Sequence, residues 1–418
     1  MRSSAREAAR LLSGVGCVAA LLLPTALPAQ AAPLSRVPAA DGKKGQELPG
    51  MPSAIDSDAP CTPASPEKAK KQDWSRQRLD LDRLHGYSTG AGVTVALIDT
   101  GVDTGAVGLD GRVTAEGTAG DDCVGHGTFL AGLIAGADGD GAGLTGVAPG
   151  AKILALRGTD QRGQASSALV VAAVRAAIEA DAEVIAVPVA LPRRDAELTR
   201  AVADARRAGA VVVAAATPDP PRGAAASDEI PARSYWPAAE PGVLSVADML
   251  PAGVRPDNAL RTSGVDLVAP GAGVVSGGPR GDGHYLGAGA SVATAYAAGA
   301  VAAVRAARPD DSADEVARRV TATAYPADIP QLDAYAAVTT VLGDSGAAGG
   351  AERAPDPVTV RDTSGADRAT DRATLFVVLG TGGVLAVLWG AFALPKARAR
   401  GWRPARAGAA APAAVEED

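Results

Sequence analysis

Residues 93–99 (VTVALID) form a short apolar run between Gly92 and Gly101. Three runs of the same character follow, at 152–156 (KILAL), 183–189 (EVIAVPV) and 210–216 (AVVVAAA). Continuous rather than alternating apolar character is what a strand buried on both faces requires. Between these runs apolar residues recur at helical spacing over 167–182 (SALVVAAVRAAIEADA) and 196–208 (AELTRAVADARRA), the second stopped by Gly209. Strands alternating with helices at this spacing predict an α/β fold, a parallel sheet with helices on both faces. Active sites in such sheets lie at the carboxyl ends of the strands.

The two ends read differently. Arg2, Arg6 and Arg10 precede an apolar run at 11–23, then Pro24 and the small residues Ala29-Gln30-Ala31. That order predicts a secretory signal peptide over 1–31, cut near Ala31, which discards Cys17. Residues 375–394 (LFVVLGTGGVLAVLWGAFAL) carry no charge and rise about 30 Å as a helix, the thickness of a hydrocarbon core. A transmembrane helix is therefore expected over 374–395. Lys396, Arg398, Arg400, Arg403 and Arg406 follow, so the positive-inside bias puts the basic tail, 396–418, in the cytoplasm and the body outside the cell membrane. Residues 32–80 read as a Pro/Ala/Lys-rich N-terminal extension and 342–373 as a flexible linker. The folded domain is left to 81–341.

Composition narrows the class. With 47% hydrophobic and 21% charged residues among 418, the chain is not wholly disordered and suffices for one large domain. Fifty Gly and 3% aromatics predict an interior packed from small side chains. A net charge of −7 gives no reason to expect nucleic acid as a partner, and three Cys exclude a disulfide-rich scaffold.

Three motifs carry chemistry. Residues 96–103 (ALIDTGVD) end the first strand on Asp99, where a carboxylate needs a partner or a task. Residues 125–132 (GHGTFLAG) place His126 between glycines at the start of an apolar helix. Residues 287–299 (GAGASVATAYAAG) put Ser291 at the N-terminus of a small-residue helix, whose free N–H groups favour a developing anion. Asp to orient an imidazole, His to take the proton and Ser to attack a carbonyl are the roles of triad acyl transfer.

On these residues the sequence resembles the subtilisin-like serine proteases over roughly 81–341. ALIDTGVD is similar to that family's Asp motif, GHGTFLAG to its His motif and GAGASVATAYAAG to its Ser motif, with Ala290 for the usual Thr; 263–271 (SGVDLVAPG) matches the stretch before the nucleophile. The resemblance implies a subtilisin-like fold and a catalytic triad of Asp99, His126 and Ser291 acting on peptides without a cofactor. The order of segments, Phe129 and Tyr296 resemble the mycosins, the membrane-anchored proteases of type VII secretion systems. That resemblance implies association with a secretion membrane complex. It also implies a disulfide between Cys61 in the extension and Cys123 beside His126, so that the extension runs near the active site and partly occludes it.

The pattern breaks in two places. The family's second oxyanion-hole donor is an Asn side chain, and the corresponding stretch here ends Ala216-Thr217-Pro218. Pro218, or Thr217 if the alignment slips by one, stands at that position, leaving the Ser291 backbone N–H as the remaining donor. Asn258, the chain's only Asn, lies in a different loop. Pro188 also removes a donor from the strand expected to pair with substrate. Two functions follow as expectations: a slowed endopeptidase, or a catalytically impaired domain kept as a structural subunit of the secretion complex. A free-standing surface protease is a third. His85 and His284 have no metal-ligand spacing and read as structural or exposed; Asp138 and Asp140 read as a solvated loop rather than a calcium site, so no metal is expected.

Overall fold

The computed structural model describes residues 48–138, 141–219, 232–342 and 364–401. The expected signal peptide with Cys17, the first part of the extension, Asp140, most of the linker, and Arg403 and Arg406 of the tail lie outside the described residues. The chain divides into two compact units, Met1–Leu342 and Gly343–Asp418.

The first unit begins with two short helices, α1 (Trp74–Arg78) and α2 (Leu81–His85). Strands and helices then alternate: β1 (Thr94–Asp99), β2 (Val113–Ala115), α3 (His126–Ala135), β3 (Lys152–Arg157), α4 (Ser167–Glu179), β4 (Val184–Val187), α5 (Ala196–Arg207) and β5 (Val211–Ala215). Next come β6 (Leu244–Met249), β7 (Leu267–Pro270), β8 (Ala272–Gly277) and β9 (His284–Ala288). Three helices complete the unit: α6 (Ala290–Ala307), α7 (Ala313–Ala322) and α8 (Ala334–Thr339). Among the described residues seven strands form one parallel sheet in the order β2-β3-β1-β4-β5-β6-β7, while β8 and β9 pair antiparallel.

The apolar runs are strands because both faces of the sheet are covered. Val95 and Leu97 of β1, Ile153 and Ala155 of β3, and Val184 and Ala186 of β4 pack into one core with α3 and α6. Their neighbours Ala96 and Ile98, Leu154 and Leu156, Ile185 and Val187 pack into a second core with α4 and α5. Small residues make this possible: α6 is nearly all Ala, Gly and Val and is buried from Ala290 to Val304, so it lies close against the sheet. The run at 183–189 yields a strand only to Val187, since Pro188 next in line has no N–H for a ladder. The helix read over 167–182 stops at Glu179, and Asp181 turns with φ +51°. At α5 the Asp195 side chain accepts from the amides of Glu197 and Leu198, and Gly209 beyond the last turn takes φ +91°.

The described part of the extension is bound to this unit at several points. Cys61 and Cys123 form a disulfide. Thr62 donates from its amide to the Cys123 carbonyl at 2.9 Å and from Oγ1 to the Val124 carbonyl at 2.6 Å. Further on, the buried Ser75 hydroxyl meets the Tyr296 hydroxyl of α6 at 2.5 Å, and the fully buried Arg76 pairs with Asp73 at 2.9 Å.

The second unit contains α9 (Ser364–Ala399). Its segment Phe376–Ala399 spans 24 residues with mean hydropathy 2.1, long and apolar enough to cross a membrane by length and composition. Helix α6 passes the same test of length, but it is buried in the core of the first unit.

The disulfide closes a loop with a sequence separation of 62, for which chain entropy gives about 4 kcal/mol of stabilisation. Paired Cys61→Ser and Cys123→Ser substitutions are expected to lower the denaturation midpoint by about that free energy, and an unchanged midpoint in urea would contradict this.

Candidate active site

The sheet order reverses at β1, which lies between β3 and β4, and the crevice outside the strand ends opens there. Asp99, the last residue of β1, is buried at that point. Its Oδ1 accepts from the Thr100 amide at 2.8 Å and faces Nδ1 of His126 at 2.8 Å, which fixes the ring by its inner nitrogen.

His126 opens α3 and is itself buried. The start of that helix is held by Asp122, a residue the sequence did not single out. Asp122 Oδ1 accepts from the Thr100 hydroxyl at 2.9 Å and the Gly125 amide at 2.7 Å; Oδ2 accepts from the Thr128 amide at 2.9 Å and hydroxyl at 2.7 Å. The carboxylate thus staples the end of β1 to the first turn of α3. Burial raises its pKa despite those four donors. Gly127 is required by closeness, because a Cβ there would lie 2.0 Å from the Gly101 carbonyl oxygen.

Ser291 stands in the first turn of α6, buried, with Oγ 3.1 Å from Nε2 of His126. The three residues singled out from sequence are therefore joined in one hydrogen-bonded row. A fourth joins them. The group against the Ser291 amide is Asp219, one residue beyond Pro218: Oδ1 accepts from the Ser291 N–H at 3.0 Å and Oδ2 from its Oγ–H at 2.5 Å. Neither Pro218 nor Thr217, the residues expected at the family's Asn position, is the group that touches the Ser291 amide. The chain turns after β5 so that Pro218 is passed over, and a carboxylate, not an amide, reaches the nucleophile. Gly289 makes room for it, with φ +127° and a would-be Cβ only 1.9 Å from Asp219 Oδ1.

Two carboxylates now face one imidazole, Asp99 on Nδ1 and Asp219 Oδ2 at 3.6 Å from Nε2. Burial pushes the His126 pKa down, but attraction to Asp99 and hydrogen bonding to Asp219 outweigh it and raise the pKa to about 10. The balance favours the imidazolium over the neutral ring.

A cleft of about 570 Å³ runs beside these residues, lined among others by His126, Phe129, Asp219, Leu286 and Val292. Asn258, although it lies in another loop, reaches the same cleft. So does the extension, through residues 50–54. Its backbone makes a single parallel β-bridge to β9 at Gly50, with Met51 N–H donating to the Leu286 carbonyl at 2.7 Å and Leu286 N–H to the Pro49 carbonyl at 2.8 Å. The Ile55 amide then donates to the Arg162 carbonyl at 3.0 Å. Part of the cleft wall is thus formed by the chain's own extension.

The other histidines hold backbone. His85 Nε2 lies 3.1 Å from the Gly146 carbonyl, and His284 Nδ1 accepts from the Ala69 amide at 2.9 Å. Asp138 Oδ1 accepts from the Gly143 amide at 3.2 Å. Among the described residues no group of three or more His, Cys, Asp or Glu is arranged to hold a metal ion.

A parallel sheet with helices on both faces and an Asp, His, Ser row at its switch point defines a subtilisin-like serine endopeptidase. The chain belongs to the subtilase family, whose model matches residues 90–370. It is 30% identical to Mycosin-3 of Mycobacterium tuberculosis over 350 residues, covering 67% of this chain and 75% of that protein. The crystal structure of MycP1 from Mycobacterium smegmatis is 27% identical and superposes with a TM-score of 0.58, covering 75% of this chain and 96% of that one. The structure of the MycP3 protease from the type VII (ESX-3) secretion system is 28% identical with a TM-score of 0.57, covering 71% and 94%.

Because Asp122 satisfies four buried donors, Asp122→Ala is expected to cost about 3 kcal/mol of stability and to loosen the His126 turn. Chemical denaturation measures this, and a loss under about 0.5 kcal/mol, the scale of an ordinary surface change, would contradict the staple.

Proposed function

We propose that the protein is an exported serine endopeptidase, anchored in the cell membrane by α9, in which Asp99, His126 and Ser291 are the catalytic triad. Ser291 Oγ attacks the scissile carbonyl and forms an acyl-enzyme; His126 moves the protons; Asp99 holds the ring orientation. The observation that carries this reading is the continuous row Asp99 Oδ1, His126 Nδ1, His126 Nε2, Ser291 Oγ, at 2.8 and 3.1 Å. The substrate is a peptide or protein segment, and no cofactor enters the chemistry.

Location follows from chemistry on both sides of the domain. A disulfide between Cys61 and Cys123 suits an oxidising, extracytoplasmic space. The apolar segment of α9 is followed by Lys396, Arg398 and Arg400, which favour a cytoplasmic C-terminus and a single pass. Likeness to MycP3 from a type VII secretion system supports work alongside such a secretion membrane complex. On this reading the segments are a signal peptide at 1–31, an extension at 32–80, the protease domain at 81–341, a linker at 342–373 whose end, from Ser364, is already helical in α9, a span at 374–395 and a cytoplasmic tail at 396–418.

A second reading, a catalytically impaired subunit that stabilises the secretion complex, is favoured by one observation. The Asp219 carboxyl, accepting from the Ser291 amide, occupies the place where negative charge develops on the substrate.

Labelling of the purified protein by a fluorophosphonate separates the two. The protease reading expects labelling that disappears in Ser291→Ala. Absence of labelling at every pH, in protein shown to be folded, would decide for the structural subunit.

A further inference from the structure

The triad leaves Asp219 without a task, yet this carboxylate touches the nucleophile at two atoms. Ser291 Oγ has one proton and two neighbours that compete for it: Nε2 of His126 at 3.1 Å and Oδ2 of Asp219 at 2.5 Å. With His126 held as the imidazolium, Nε2 is itself a donor, so the Oγ proton points at Asp219. The shorter contact is the one aligned for proton transfer.

We propose that Asp219 is a catalytic residue of this protease, which takes the Ser291 proton as Oγ attacks and then, as the carboxylic acid, hydrogen-bonds the oxyanion. The proposal rests on the triad reading above and changes which group receives the first proton. Attack forms the Oγ–C bond, moves the carbonyl electron pair onto oxygen and leaves Asp219 neutral. His126 then gives its Nε2 proton to the leaving nitrogen, the C–N bond breaks, and an acyl-enzyme remains with His126 neutral. Water loses a proton to His126 and its oxygen adds to the acyl carbon. Collapse of that second intermediate breaks the Oγ–C bond, and Oγ recovers its proton from Asp219. The protein ends as it began, with an imidazolium and a carboxylate.

The surroundings suit a carboxyl that changes its charge during turnover. His126 faces it across Oδ2, with Asp99 behind the ring. From β6 the buried Asp248 has a raised pKa, through burial first and in part through repulsion by Asp219, with Arg255 at 3.6 Å offsetting it. The Ser291 amide at the start of α6 donates to Asp219 Oδ1. The extension brings uncharged residues to this side of the cleft, among them Met51 and Ser53, and Asn258 is also uncharged.

The test is the second-order rate of fluorophosphonate labelling, from pH 5 to 10, for the full chain in detergent and for Asp219→Ala, Asp219→Asn and Ser291→Ala, each with its fold checked by circular dichroism. Wild type is expected to label across neutral pH and to slow at the alkaline end, where the imidazolium is lost. Asp219→Ala is expected to label about 100-fold more slowly, the scale of losing one oxyanion-hole donor. Asp219→Asn, with an amide donor but no carboxylate base, is expected to speed up with pH as His126 becomes neutral, and to show no alkaline fall. Asp219→Ala labelling as fast as wild type or faster would overturn the proposal, as would superimposable pH profiles for wild type and Asp219→Asn. Labelling of Asp219→Asn alone would overturn it and keep the triad; no labelling in any variant would overturn both.

Discussion

A sheet covered on both faces leaves a carboxylate or an imidazole one sheltered place with access to substrate, the rim at the carboxyl ends of its strands. The strands here are apolar on both sides because α3 and α6 close one face and α4 and α5 the other. Asp99 is polar only because it is the last residue of its strand. The same rim receives the first turns of α3 and α6, and with them His126 and Ser291. Everything chemical in the molecule follows from that confinement.

Confinement also decides the charge state. In water an imidazole beside two carboxylates would be only slightly more basic than a free one. Withdrawn from solvent, His126 feels both, and their attraction exceeds the cost of burying its charge. A buried ring that stays protonated at neutral pH suits an acid, and Asp219 is the group left to serve as base. The geometry around Ser291 and the electrostatics around His126 therefore point the same way. The extension, tied by its disulfide beside His126 and lying along β9, narrows the approach to this rim.

Much of this was legible in the residues. Runs of valine and isoleucine without polar interruption marked strands of a fully covered sheet, and Pro188 marked where one of them ends. Glycines on both sides of His126 and a helix of small residues after Ser291 marked the Asp, His, Ser row, since each serves a close approach that larger residues block. Asp219 was not legible. The sequence alone offered its neighbours Pro218 and Thr217 for the position of the family's amide, and only the turn of the backbone after β5 shows which side chain reaches Ser291. Asp122 was missed for a related reason: its role lies in four hydrogen bonds to residues spread from Thr100 to Thr128, which no local pattern announces. Strands β6 to β9 escaped the apolar pattern because Ser245, Asp248, Ser276 and several glycines interrupt them.

The chemistry of the site depends on His126 being held as an imidazolium between Asp99 and Asp219. Nitrogen-15 NMR of the histidine side chains over a pH titration tests it directly, with His126→Gln to assign the signal. The expected ring keeps both nitrogens protonated beyond pH 8 and titrates near 10. A His126 that becomes neutral near the ordinary imidazole value of about 6.5 would contradict it.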